Sequence, residues 1–103
     1  EMIPSFKKLK IDEIHLEHCS LHYTMLDVFK EWNFNGKISL GVIDQRINTT
    51  ETSDDILRAI EPALKYFNKD SILLTSECGF GHVPIDIVRA KIKKLVLVAR
   101  ELK

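Results

Sequence analysis

Three side chains able to bind a metal or move a proton stand at the ends of apolar runs. Glu17 follows the alternating segment DEIHL, Asp44 closes ISLGVID, and Cys78 comes directly after SILLTSE. Carboxylate and thiolate are both zinc donors, and catalytic zinc sites draw on such ligands in a tetrahedral set with one position left for water or substrate. Glu17 and Cys78 lie far apart along the chain and lack the compact spacing of a CxxC or HExxH motif, so two readings of Cys78 stay open, a small buried hydrophobe or a ligand. Glu17 shares a polar strand face with His15. A buried, unpaired carboxylate costs several kcal/mol, so Glu17 requires a partner, a proton or a cation. His18, Cys19 and His22 form a second cluster, but adjacent residues of a strand point to opposite faces. The simpler expectation is that Cys19 packs under the following helix while His18 sits at the rim. His82, on the loop after Cys78, either reaches a substrate or caps the last helix. Asp44 either pairs with a base at the rim or opens an Asx-turn.

The elements that must position these groups alternate in type. Strands are expected at about 12–18, 38–44 and 71–77, and helices at about 21–32, 53–68 and 84–102, giving βαβαβα. The first helix rests on a stripe of Leu21, Met25, Val28 and Trp32 at steps of four, three and four. In the second, Thr52 or Ser53 is placed to cap, Ile56, Ile60, Ala63 and Phe67 form the buried stripe, and Pro62 predicts a kink or a later start. The third carries Val88, Ile92, Leu95, Ala99 and Leu102 on one face, with Lys91, Lys93 and Lys94 expected to point away. Pro84 suits its first turn. Strands joined through helices run parallel with right-handed crossovers, so their carboxyl ends share one edge, the edge where open α/β sheets and (β/α)₈ barrels build their sites. Glu17, Asp44 and Cys78 therefore gather there.

The chain has 103 residues with 15 basic and 15 acidic side chains, a net charge of zero, and 45% hydrophobic residues. That size and composition suit one small α/β domain. The balanced charge excludes an electrostatic footprint for nucleic acid or anionic lipid. No apolar run approaches the ~20 residues needed to cross a bilayer, and two cysteines suit a reducing, cytoplasmic location.

Taken in order, IHLEHC, LGVID, ETSDDI and SECGFG resemble the closing part of the cobalamin-independent methionine synthase family. That family shows a strand ending in Glu, a GVxD strand, an E-(T/S)-x-(D/E) helix start and a (P/E)-(D/E)-CG(F/L) loop. The likeness covers nearly the whole chain, and KIKKLVLVAREL is similar to the family's last helix. The resemblance implies the last three units of a (β/α)₈ TIM-type barrel and a zinc held by a His-x-Cys pair, a Glu and a later Cys. It also implies methyl transfer from 5-methyltetrahydrofolate to homocysteine, which makes methionine. On that match Glu17 and Cys78 fall on zinc ligands, Asp44 is the candidate cofactor-binding residue, and Arg46 occupies the place of the family's proton-donating His. Arginine is a poor acid, so the departure at this position also suits a corrinoid-type methyl donor or a different thiol. The His-x-Cys pair and the loops that hold homocysteine lie upstream of residue 1 in the family. The chain is accordingly expected to be inactive alone, either as a fragment or as a short product completed by a companion chain or by self-association through open strand edges. The opening EMIPSFKKLK reads like the tail of a preceding helix. A noncatalytic α/β interaction module is the remaining alternative.

Overall fold

The computed structural model describes Ser5, residues 8–30 and residues 32–102, so the reading of EMIPSFKKLK as a helix tail falls largely outside the described residues. Strand β1 spans Glu13–Glu17, β2 Lys37–Ile43 and β3 Ile72–Ser76, and they form one sheet in the order β1-β2-β3. Both pairings are parallel, with Glu17 opposite Gly41 and Gly41 opposite Thr75. A register shift between Gly41 and Ile43 then sets Ile43 against Ser76. Strand β2 is central and is buried from Ile38 through Ile43. Its sequence ISLGVI accordingly reads as an apolar run, as a strand covered on both faces requires. Helix α1 spans Ser53–Ile60 and α2 spans Ile85–Glu101. Helix α1 packs on β2 and on α2, and α2 packs on β3. The α/β class and the parallel order expected from the sequence are those of the structure.

Between β1 and β2 the expected α-helix over 21–32 is replaced by a 3₁₀ helix, Thr24–Lys30. A left-handed turn delays its start. His22 and Tyr23 adopt left-handed backbone angles, φ 53° and 68°, which an α-helix cannot carry. Thr24 closes this turn by donating its hydroxyl to the Leu21 carbonyl at 2.8 Å. A 3₁₀ helix repeats every three residues, so Leu26, Phe29 and Trp32 are the buried positions. Leu21 and Met25, placed in the core by a 3.6-residue period, are 38% and 37% exposed. Phe29 stacks on Trp32 and meets Phe67 edge-on at 4.9 Å, tying this segment to the stretch after α1.

Thr52 and Asp55 form a reciprocal capping box at the start of α1. The Asp55 N–H donates to Thr52 Oγ1 at 3.1 Å and the Thr52 N–H to Asp55 Oδ2 at 2.9 Å. The α-helix stops at Ile60 and tightens into a 3₁₀ turn over Glu61–Lys65. Pro62, which has no N–H to continue the ladder, sits in that turn. Ile56, Ala59, Ile60, Ala63 and Phe67 are buried against Ile38, Leu40 and Val42 in one core cluster.

Helix α2 departs from the expected stripe by a rotation. Lys91 is fully buried and Val98 with it, while Ile92 is 45% exposed and Ala99 is also exposed. The buried face runs 88, 91, 95, 98, 102 rather than 88, 92, 95, 99, 102. Both series share three members and differ in where a lysine or an isoleucine falls. An apolar count favours the wrong one because Lys91 is held by polar partners from another segment.

Candidate active site

The carboxyl ends of the parallel strands meet at one edge. Glu17 is the last residue of β1, Asp44 follows β2 directly, and Glu77 and Cys78 follow β3. Since β2 lies between the other two strands, the β1 and β3 ends stand about 10 Å apart, two strand spacings. Glu17 and Cys78 are both exposed. Among the described residues no group of three or more His, Cys, Asp or Glu side chains is arranged to hold a metal ion.

Asp44 fulfils both roles expected of it. Its Oδ1 accepts the Arg46 backbone N–H at 2.9 Å, an Asx-turn. Its two oxygens also take a two-pronged contact from the Arg46 guanidinium, 3.0 Å from Nε and 3.1 Å from Nη2. This fork holds the Asp44 carboxyl below the usual carboxylate range against the opposing effect of burial. Arg46 is raised in turn, first by Asp44, with smaller contributions from Glu77 and Glu17. Asp44 and Arg46 thus form a fixed ion pair at the rim, with Glu17 and Glu77 in the same field.

Glu77 is a component that inspection of strand ends alone passes over. It is 7% exposed. Its Oε1 accepts the Ser20 N–H at 2.6 Å and the Cys19 thiol at 3.3 Å, bonding the end of β3 across β2 to the turn after β1. Room for this crossing comes from Gly41, where an added Cβ would lie 2.7 Å from Glu77 Cγ, 2.8 Å from its Cα and 2.9 Å from the Leu16 carbonyl oxygen. A glycine inside a strand is itself a sequence signal of close approach. His15 makes a parallel link with its Nε2 3.1 Å from the Ser76 carbonyl.

The members of the second cluster stand in different surroundings. Burial, and then the Glu77 carboxylate, push the Cys19 thiol up to about 12, so it stays protonated near neutral pH. His18 is not at the rim. It is fully buried, 2.6 Å from the Ala59 carbonyl through Nε2, and burial lowers its pKa, which keeps the ring neutral. His22 is exposed on the left-handed turn. His82 is also exposed, and α2 begins at Pro84 without a side-chain cap. A cavity of about 450 Å³ opens beside this edge, lined among others by Cys19, Tyr23, Asp44, Arg46, Thr49 and Glu51.

Parallel βα units with carboxylate, thiol and guanidinium groups collected at the carboxyl edge define an α/β protein of the class that binds ligands at that edge. The chain belongs to the family described as cobalamin-independent synthase, catalytic domain, which it matches over residues 1–101. Relatives include the methionine synthase of Sulfolobus acidocaldarius, 30% identical over 97% of this chain and 30% of the relative. That of Saccharolobus solfataricus is 27% identical, over 97% of this chain and 31% of the relative. The chain therefore spans about a third of the length of these methionine synthases. In three dimensions it resembles a B12-independent methionine synthase from Shewanella sp. W3-18-1 solved with selenomethionine. The TM-score is 0.77 at 24% identity, covering 97% of this chain and 29% of the other, a likeness of fold. Among the described residues no helix is long and apolar enough to cross a membrane.

Proposed function

We propose that this chain is the C-terminal portion of a zinc-dependent methyltransferase, cytoplasmic, that moves a methyl group from 5-methyltetrahydrofolate to the sulfur of homocysteine. The observation that carries the reading is the parallel register. It delivers Glu17 and Cys78 to one edge, on either side of the strand that holds Gly41, in a chain of the cobalamin-independent synthase family. A carboxylate and a thiol, both accessible, fit as half of a tetrahedral donor set. The other half must come from residues outside this chain, and in the family these are a His-x-Cys pair. Zinc, when bound, supplies Lewis acidity that favours thiolate over thiol in a homocysteine substrate. Glu17 and Cys78 would hold the metal. Asp44 and Arg46 form the adjoining wall, where Arg46 offers a permanent positive charge to a developing anion rather than a proton.

The remaining βα units have a place to dock. Strand β3 is an edge strand with Leu73 40% exposed, and a groove of about 360 Å³ beside it is lined by Leu64, Ile72, Leu73, Leu74, Ala99 and Leu102. A barrel continued past β3 covers this apolar surface, whether by the same polypeptide or by a companion chain. On this reading the chain alone is catalytically inactive, and methyl transfer to homocysteine by this polypeptide by itself refutes that point.

The deciding experiment is metal analysis of the full-length protein with the Cys78→Ser and Glu17→Gln variants. One zinc per site, lost or weakened in both variants along with homocysteine methylation, supports the proposal. Full zinc content in both variants overturns it, and a protein without zinc stoichiometry points to a noncatalytic interaction module. One observation favours a second reading of the donor. Because Arg46 is locked to Asp44 by two contacts, no proton donor stands at that position, which suits a corrinoid-type methyl donor whose leaving group departs without protonation. Parallel assays with folate and methyl-corrinoid donors separate the two.

A further inference from the structure

Lys91 lies on α2, yet its ammonium is spent entirely on the loop between β2 and α1. Nζ donates to the Asp44 carbonyl at 3.2 Å, the Thr49 carbonyl at 2.9 Å and Glu51 Oε1 at 2.7 Å. The other Glu51 oxygen, Oε2, accepts the Asp44 N–H at 2.7 Å. Both backbone polar groups of Asp44 are thus gripped by one ion pair, and the two ends of the loop, at 44 and at 49–51, are drawn to a single point. The Asp44 carboxylate is left to hold Arg46.

Stability alone does not account for a lysine here. It is fully buried on a face shared with Val88, Leu95, Val98 and Leu102, where an apolar side chain of similar length would avoid the desolvation of an ammonium. What a methionine or leucine cannot do is bond two carbonyls and a carboxylate of a loop that has no ladder of its own. We propose that Lys91, acting with Glu51, is a positioning residue that fixes the Asp44–Glu51 loop so that the Asp44–Arg46 pair stands in its working place at the catalytic edge. This rests on the reading of that edge as the site of methyl transfer. Lys91 touches no substrate and acts through Asp44.

The test uses the full-length protein with the variants Lys91→Met, Glu51→Gln, Arg46→Gln and Lys91→Met/Arg46→Gln. Amide exchange over residues 45–50 reads the loop directly and is independent of the reaction. It is expected to accelerate in Lys91→Met while exchange in β2 stays unchanged. Methyl transfer to homocysteine reads the consequence. Misplacing a catalytic wall by an ångström lowers turnover on the order of 10²-fold, so kcat/KM in Lys91→Met should fall by roughly 10- to 100-fold with zinc content preserved. The loss should be no larger in the double variant than in the worse single one, because both changes disable the same wall. Losses that multiply, or an unchanged loop exchange, overturn the proposal. Should Lys91→Met fail to fold, Glu51→Gln carries the same comparison, with faster loop exchange expected and unchanged exchange counting against the idea. If the wild-type protein methylates no thiol, the proposed reaction falls, and the exchange result alone decides whether Lys91 holds the loop.

Discussion

Replacing Gly41 by alanine puts a single methyl group at the point where three strand ends are joined. In an ordinary strand the change is favourable by about 0.5–1 kcal/mol, because alanine loses less backbone freedom on folding than glycine. Here the new Cβ would sit 2.7 Å from Glu77 Cγ, 2.8 Å from Glu77 Cα and 2.9 Å from the Leu16 carbonyl oxygen. The first of these atoms belongs to a side chain that can swing aside, but the other two are backbone, and relieving them means moving β1 or β3. Overpacking of this kind costs about 1–3 kcal/mol. Sterics therefore outweigh propensity, and a net destabilisation of about 1–2 kcal/mol is expected. Denaturant unfolding measures it as a lower midpoint at unchanged slope. The displaced segment carries Glu77 and Cys78, so on the proposed zinc-dependent reading the metal content of the full-length protein should fall as well. Gly79 is the control, since a Cβ there meets nothing within 4 Å and its φ is not positive. Gly79→Ala should be neutral or stabilising by about 0.4–1 kcal/mol through the unfolded state. A Gly41→Ala protein as stable as the wild type would refute the claim that Glu77 crosses β2 in contact with Gly41.

Thiol labelling near pH 8 should modify Cys78 quickly and Cys19 slowly, since Cys78 is exposed while Cys19 is held as a thiol by burial and by Glu77. Equal rates would contradict the Cys19–Glu77 contact. Thr52→Ala removes the capping box of α1 and should lower stability by about 1 kcal/mol, read by thermal or denaturant unfolding. The Asp44 carboxyl has its folded pKa depressed, chiefly by Arg46. Its contribution is thus present above the unfolded value of about 3.9 and is lost as pH falls through the folded one. Arg46→Gln should be less stable than the wild type at pH 6, and the two unfolding curves should converge only as pH falls through the depressed folded value. A stability difference that persists unchanged into acid would show that the fork is not its source.

What the sequence disclosed and what it hid divide along one physical line. Local patterns with a fixed period or a fixed chemical partner nearby were legible: the apolar run of β2, the Thr52–Asp55 box, the helix break at Pro62 and the Asx-turn at Asp44 all depend on residues within a few positions. The parallel order followed from the alternation of strands and helices, and it brought Glu17, Asp44 and Cys78 to one edge. The failures are residues whose environment is set at a distance. Lys91 finds its partners 40 to 47 positions away at Glu51, Thr49 and Asp44, so a periodicity count could only treat its charge as a reason for exposure. His18 was expected at a rim because its strand neighbour Cys19 was expected to pack inward. Its actual acceptor is the Ala59 carbonyl, and helix α1 covers it. The 3₁₀ segment was hidden for a different reason. Leu21, Met25, Val28 and Trp32 offer a convincing α-helical stripe, but a left-handed turn at His22 and Tyr23, which leaves no mark in residue type, precludes an α-helix through them, and Leu26, Phe29 and Trp32 are buried instead. The same reasoning explains why Glu17 and Cys78 could be assigned to one edge from residue type and strand order alone. Glu17 and Cys78 are displayed by local strand structure at a shared edge. Which side chains come to stand beside them is set by contacts distant in sequence, as it is for Lys91 and His18.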